Sequence, residues 1–169
     1  MEVNILGHTS KYKVDKPYPT VEIECFNPYY ASLLLDDYAS IDSEYTAISQ
    51  YVFGHILAGN TEVADTFLGI GIIEMTHLDM LADVILDLGV YPKFVGGNGK
   101  VWNSNFVPYG VSTQNRIQLA IKAEYGAIEQ YRDHICKIKD KEIDALLERI
   151  ILDEELHIKI FKQLLEKFN

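Results

Sequence analysis

Two Glu-x-x-His pairs stand out in the chain, Glu74 with His77 and Glu154 with His157. Three residues along a helix advance about 4.5 Å and turn about 300°, so a Glu and a His at this spacing can grip one ion from a single helix. In each copy a further Glu lies 30 residues upstream, Glu44 before Glu74 and Glu124 before Glu154. Carboxylate and imidazole donors suit iron and manganese alike, and a bridged pair of such metals exchanges two electrons with O2 or H2O2.

Offsetting the chain by 80 residues superposes the two copies. Ile41, Glu44, Ile48 and Tyr51 match Ile121, Glu124, Ile128 and Tyr131, while Ile70, Glu74, His77 and Leu81 match Ile150, Glu154, His157 and Phe161. Around the second Glu of each copy the apolar residues follow three- and four-residue steps, as in Phe67, Ile70, Leu81, Val84 and Leu88, so the Glu and His fall in the middle of an apolar stripe. A carboxylate left unpartnered in an apolar interior costs at least several kcal/mol, and four close together also repel one another. No Lys or Arg occupies the stripes beside them. Two divalent cations balance four carboxylates and leave both imidazoles neutral as ligands. The expected metal ligands are therefore Glu44, Glu74, His77, Glu124, Glu154 and His157, holding two iron or two manganese ions.

These positions require helices. Helical patterning runs from about Pro28 to Ala58, with Pro28 suited to a first turn and Gly59-Asn60 as the stop. A second helix spans about Thr61 to Leu88 and ends at Gly89, where glycine tolerates the left-handed backbone of a helix terminus. The short connection makes these two helices antiparallel neighbours. The segment from Val90 to Gly110 carries Pro92, Gly96, Gly97, Gly99 and Pro108 and shows no periodicity, so it reads as a long crossover. Ser112 suits the N-cap of a third helix reaching about Lys139, and Asp140 that of a fourth reaching about Phe168. Residues 1–27 read as an arm laid on the domain, with Val21 to Phe26 alternating as an extended stretch would. The expected fold is all-α, a four-helix bundle of two antiparallel helix pairs joined by a long crossover, with the bundle domain over residues 28–169.

Composition narrows the partners. The chain has 169 residues, enough for one domain, and a formal net charge of -10, which argues against nucleic acid because phosphate binding needs clustered Lys and Arg. The basic residues are scattered among acids, which disfavours a membrane surface, and no apolar run is long enough for a membrane helix. Cys25 and Cys136 form no paired motif, so no disulfide framework or thiolate metal site is read, and a reducing cytoplasm fits.

A Glu on each of two helices and a Glu-x-x-His on each of the other two resembles the ferritin-like di-iron and di-manganese carboxylate proteins. Tyr51, seven residues after Glu44, resembles the tyrosine that hydrogen-bonds near the metals in bacterioferritins and rubrerythrins, and Tyr131 repeats it. Asp153 resembles the aspartate that orients a ligand histidine, with His77 across the bundle as its target; the repeat position holds Ile73, so it has no mate. Rubrerythrins carry a further Glu where Ala127 stands and a Cys-rich domain absent here. Met75 stands where bacterioferritins place their haem-binding Met, although Met is also simply a good helix former. The N-terminal arm and the Gly-rich crossover look more similar to the bacterial manganese catalases and their spore-coat relatives.

The resemblance implies a cytoplasmic homo-oligomer acting on a small inorganic substrate, H2O2 or O2. A catalase-like or rubrerythrin-like peroxidase activity leads; iron oxidation with storage, and a metal-braced structural protein like those of spore coats, are the alternatives. His55 shares the Glu44 face but sits about 16 Å further along, too far to ligate. His8 and His134 lack that face and are assigned nothing. Trp102 and Tyr109 are expected to cover the bundle or fill a subunit contact.

Overall fold

The computed structural model describes residues 9–168. His8 and the start of the arm lie outside them. Five α-helices are present among the described residues: α1 Pro28–Ala39, α2 Glu44–Ile56, α3 Thr61–Asp87, α4 Thr113–Lys137 and α5 Lys141–Glu166. The bundle is all-helical, and its four columns are α1 continued by α2, then α3, α4 and α5.

Helix boundaries follow local chemistry. Asn27, Ser43, Asn60, Ser112 and Asp140 each cap a helix by accepting a backbone N–H, which satisfies a donor the first turn would leave orphaned. Pro28 opens α1, where its missing N–H costs nothing. Gly89, with φ +90°, ends α3.

The expected single helix from Pro28 to Ala58 is instead two, and the break falls immediately before Glu44. Ser43 Oγ caps α2 and donates to Ser40 O at 2.8 Å, while Thr46 Oγ1 donates to the same carbonyl at 2.6 Å. Hydroxyls so close to the backbone offer it partners that continued helix would forgo. Ile41, placed by the repeat on the inner stripe, lies in the break and is 56% exposed.

The crossover is not featureless. Val95 and Val101 form an antiparallel bridge that closes a small turn, and Phe94, just before the bridge, docks on the helices at either side of the break. The Phe94 ring stacks on Tyr38 of α1 at 5.4 Å and on Tyr45 of α2 at 4.2 Å. Trp102 donates from Nε1 to Thr46 Oγ1 at 2.9 Å, and Tyr109 packs edge-on against Phe53. Both cover α2, one of the two uses expected of them. Val21 and Ile23 pack on the core, but no strand forms in the Val21–Phe26 stretch.

Two apolar clusters fill the bundle. One gathers Leu81, Val84 and Ile85 of α3 with Leu147 and Ile150 of α5; the other gathers Phe67 and Ile70 of α3 with Phe161 and Leu164 of α5. These pairings make α3 and α5 antiparallel. Glu74 and His77, and likewise Glu154 and His157, lie in sequence between the residues of the two clusters, so the polar centre sits between two oily plugs.

Candidate metal centre

Two quartets of ligand atoms, each within 4.8 Å of one another, occupy this interval: Glu44, Glu74, His77 and Glu154, and then Glu74, Glu124, Glu154 and His157. Glu74 and Glu154 belong to both. All six residues are buried.

The arrangement has an internal two-fold character. His77 Nδ1 faces Glu74 Oε2 at 3.0 Å, Glu154 Oε1 at 3.1 Å and Glu44 Oε2 at 3.7 Å. His157 Nδ1 faces Glu154 Oε2 at 3.0 Å, Glu74 Oε1 at 3.1 Å and Glu124 Oε1 at 3.6 Å. One imidazole nitrogen carries at most one proton, so it cannot satisfy three carboxylates. Glu74 Oε1 and Glu154 Oε1 accordingly accept no hydrogen bond although fully buried. Orphaned carboxylate oxygens are costly in such a place, and they are the atoms a cation would satisfy. The donor set, four carboxylates and two imidazoles, fits two divalent ions of the iron or manganese kind, with Glu74 and Glu154 reaching both.

Proton affinities bear out the strain among these charges. Burial, then repulsion from Glu74, pushes the Glu44 and Glu124 carboxyls well above the usual range. Burial works to lower His157, but the charge of Glu74 and hydrogen bonding to Glu154 outweigh it and carry the imidazole up to about 10. His77 is raised well above its ordinary value, burial again being overcome, here by the charge of Glu44, hydrogen bonding to Asp153 and the adjacent Glu154 carboxylate. Glu154 goes the other way; despite its burial, the hydrogen bond from His157 and the closeness of both imidazoles lower it. Without cations, protons do part of their work.

The tyrosines reach across the bundle. Tyr51 donates to Glu124 Oε1 at 2.5 Å, and Tyr131 donates to Glu44 Oε1, so each holds the terminal carboxylate of the other half. Burial, then the carboxylate charge, keeps both phenols protonated, as donors must be. Asp153 Oδ2 lies 3.2 Å from His77 Nε2. Its own charge is secured by His77, Tyr18 and Val14, whose hydrogen bonds overcome burial and hold the carboxyl at about 2.

Several contributors were not visible in the sequence. Tyr18 Oη donates to Asp153 Oδ2 at 2.6 Å, Arg149 Nη1 pairs with Asp153 Oδ1 at 2.9 Å, and the Tyr12 carbonyl accepts from His157 Nε2 at 2.8 Å. Arg149, four residues before Asp153 on the helix of Glu154 and His157, had the spacing of an ion pair as its only signal. The residues set aside stay away from the centre. His55 Nδ1 meets Ala64 O at 2.9 Å, Met75 is 45% exposed, and His134 is buried against Asp37 Oδ2 at 2.7 Å between α4 and α1.

On the side away from the histidines a small cavity of about 20 Å³ touches Glu44, Glu74, Glu124 and Glu154. Ile41, Asp42 and Ser43 of the break also line it, together with Ala47, Ala123 and Ala127. That volume accommodates about one water-sized molecule.

A four-helix fold with paired carboxylates and histidines at its core defines a class, and residues 39–169 match the family model for the ferritin-like domain: the chain belongs to that family. A probable manganese catalase of Clostridium acetobutylicum is 25% identical over 168 residues, covering 87% of this chain and 75% of that protein. A manganese catalase from Anabaena shares the fold with a TM-score of 0.85 at 24% identity, over 92% of this chain and 79% of its own. Bacterioferritin from Mycobacterium tuberculosis superposes with a TM-score of 0.69 at 26% identity, over 83% and 86% of the two chains. No helix among the described residues is long and apolar enough to cross a membrane.

Proposed function

We propose that the chain is a dinuclear oxidoreductase acting on hydrogen peroxide, catalase-like and using manganese. The observation that carries this reading is the pair of candidate quartets sharing Glu74 and Glu154, beside a cavity of about one water's size. When bound, the two metals supply a two-electron couple, which lets one peroxide be oxidised to O2 and another reduced to water, 2 H2O2 giving 2 H2O and O2, with no outside donor.

The protein residues set the conditions for this. Glu74 and Glu154, which belong to both quartets, would hold both ions, Glu44 and Glu124 would each hold one, and His77 and His157, once deprotonated at Nδ1, would add a donor each. Tyr51 and Tyr131 hold Glu124 and Glu44 in place. The apolar plugs above and below keep bulk water out, which strengthens every charge interaction inside. The likeness to manganese catalases over nearly the whole chain favours manganese over iron.

Oxygen release from H2O2, followed with a Clark electrode after loading with Mn2+ or with Fe2+, tests the reading. Turnover with Mn2+ is expected, and no turnover with either metal despite two bound ions would reject it. The likeness to bacterioferritin supports a second reading, iron oxidation and storage by a homo-oligomeric shell. Gel filtration and electron microscopy after iron loading separate the two, since storage needs a large hollow assembly and a mineral core.

A further inference from the structure

The segment from Tyr12 to Tyr18 precedes the residues matched by the family model, yet it runs across the outer side of both histidines. We propose that this strap positions the centre: Tyr18 acts through Asp153 on His77 and the Tyr12 carbonyl acts on His157, so that strap docking and metal loading stabilise each other. The proposal rests on the dinuclear reading above.

The argument begins with tautomers. A backbone carbonyl can only accept, so His157 Nε2, 2.8 Å from Tyr12 O, carries the hydrogen. An aspartate paired with arginine likewise only accepts, so His77 Nε2, 3.2 Å from Asp153 Oδ2, carries one too. A neutral imidazole with its hydrogen on Nε2 presents the Nδ1 lone pair to the carboxylate cluster, which is the state a ligand needs. Outer acceptors of this kind therefore decide whether the inner nitrogens can bind metal.

The two acceptors differ because the repeat is broken at this point. Asp153 has no counterpart, its repeat position being Ile73, and the strap supplies the missing partner as a main-chain carbonyl. The strap also secures the one carboxylate present. Val14 N donates to Asp153 Oδ1 at 2.6 Å and Tyr18 Oη donates to Oδ2 at 2.6 Å.

Strong anchors hold the strap there. Buried Arg149 donates from Nε to Lys16 O and from Nη2 to Val14 O, both at 2.9 Å, and its guanidinium lies 4.3 Å from the Tyr18 ring centroid. At the other end the Tyr12 ring occupies space that only glycine leaves open, since a Cβ at Gly69 would lie 2.0 Å from a ring carbon. Coupling of this sort is reciprocal: a strap that favours the metal-binding tautomers must itself be held more tightly when metal is bound.

Two measurements with Mn2+ as the probe test this. In wild-type protein, hydrogen exchange of the backbone from Val14 to Tyr18 is expected to slow at least about tenfold on loading, while the Asn98–Lys100 turn, remote from the centre, stays unchanged. In Tyr18→Phe, calorimetric titration is expected to show one of the two Mn2+ steps weakened roughly tenfold to a hundredfold, as loss of an outer partner of a ligand histidine does, with the other step little altered. Two bound ions with unchanged strap exchange would overturn the coupling. A Tyr18→Phe protein that melts lower but binds both ions as before would make Tyr18 merely structural. A wild-type protein that binds no Mn2+ would instead remove the dinuclear reading, and this proposal with it.

Discussion

Glu74 and Glu154 differ in kind from Glu44 and Glu124, because the first two reach both quartets and the second two reach one each. Glu44→Ala should therefore leave one ion tightly held, while Glu74→Ala weakens both; elemental analysis after gel filtration should read near one and well below one ion per chain respectively. Loading must also expel the protons that the raised His157, Glu44 and Glu124 retain. Apparent Mn2+ affinity should consequently rise with pH from about 6 to 9, with proton release visible as buffer-dependent heats in calorimetry. At this scale the gathering of six buried carboxylates and imidazoles is legible in sequence because a charge inside an apolar stripe is physically anomalous, and its repetition 80 residues later doubles the anomaly. Tyr18 and the Tyr12 carbonyl are not legible, since a strap without periodicity carries no facial information and a carbonyl has no residue signature.

Helix identities follow from the 3.6-residue pattern and the caps, which is why α3, α4 and α5 begin and end within a few residues of expectation. The α1–α2 break escaped because the apolar register continues across it, while the hydroxyls of Ser43 and Thr46 act on the backbone rather than on the pattern. The crossover turn that clamps this break is sterically tight: a Cβ at Gly97 would lie 2.0 Å from the Ser32 carbonyl oxygen. Gly97→Ala should cost roughly 1 to 3 kcal/mol in urea unfolding of the loaded protein, as overpacking does. The His134–Asp37 contact joins α4 to α1. Burial works to lower His134, but the hydrogen bond to Asp37 and its charge raise it; burial raises Asp37 as well. A raised histidine stabilises the fold fully below its unfolded value of about 6.5 and ceases to do so as pH climbs through the folded one. The raised aspartate changes stability in the same sense. The stability that this pair contributes should therefore fade above about pH 6.5, read in scanning calorimetry of the loaded proteins as a melting-temperature advantage of wild type over His134→Gln that shrinks as pH rises.

For the whole molecule the governing fact is a bundle whose middle layer is acid and whose ends are oil. An interior of four carboxylates is self-repelling without cations, so whatever binds the folded chain there must stabilise it by mass action. Removing metal with a chelator should lower the melting temperature by several degrees, recovered on adding Mn2+, and scanning calorimetry checks this. The all-α bundle with a long crossover was legible from helix spacing alone, because short links force antiparallel pairs. The packing of the strap over the histidines depends on contacts more than a hundred residues apart, such as Val14 with Asp153, which no local pattern encodes.

The most direct test is anomalous diffraction at the manganese edge from crystals of the Mn2+-loaded protein. Two peaks among Glu44, Glu74, His77, Glu124, Glu154 and His157, both within bonding distance of Glu74 and Glu154, are the expected result. No peak in that layer at saturating Mn2+, or a single ion bound elsewhere, would contradict a dinuclear centre.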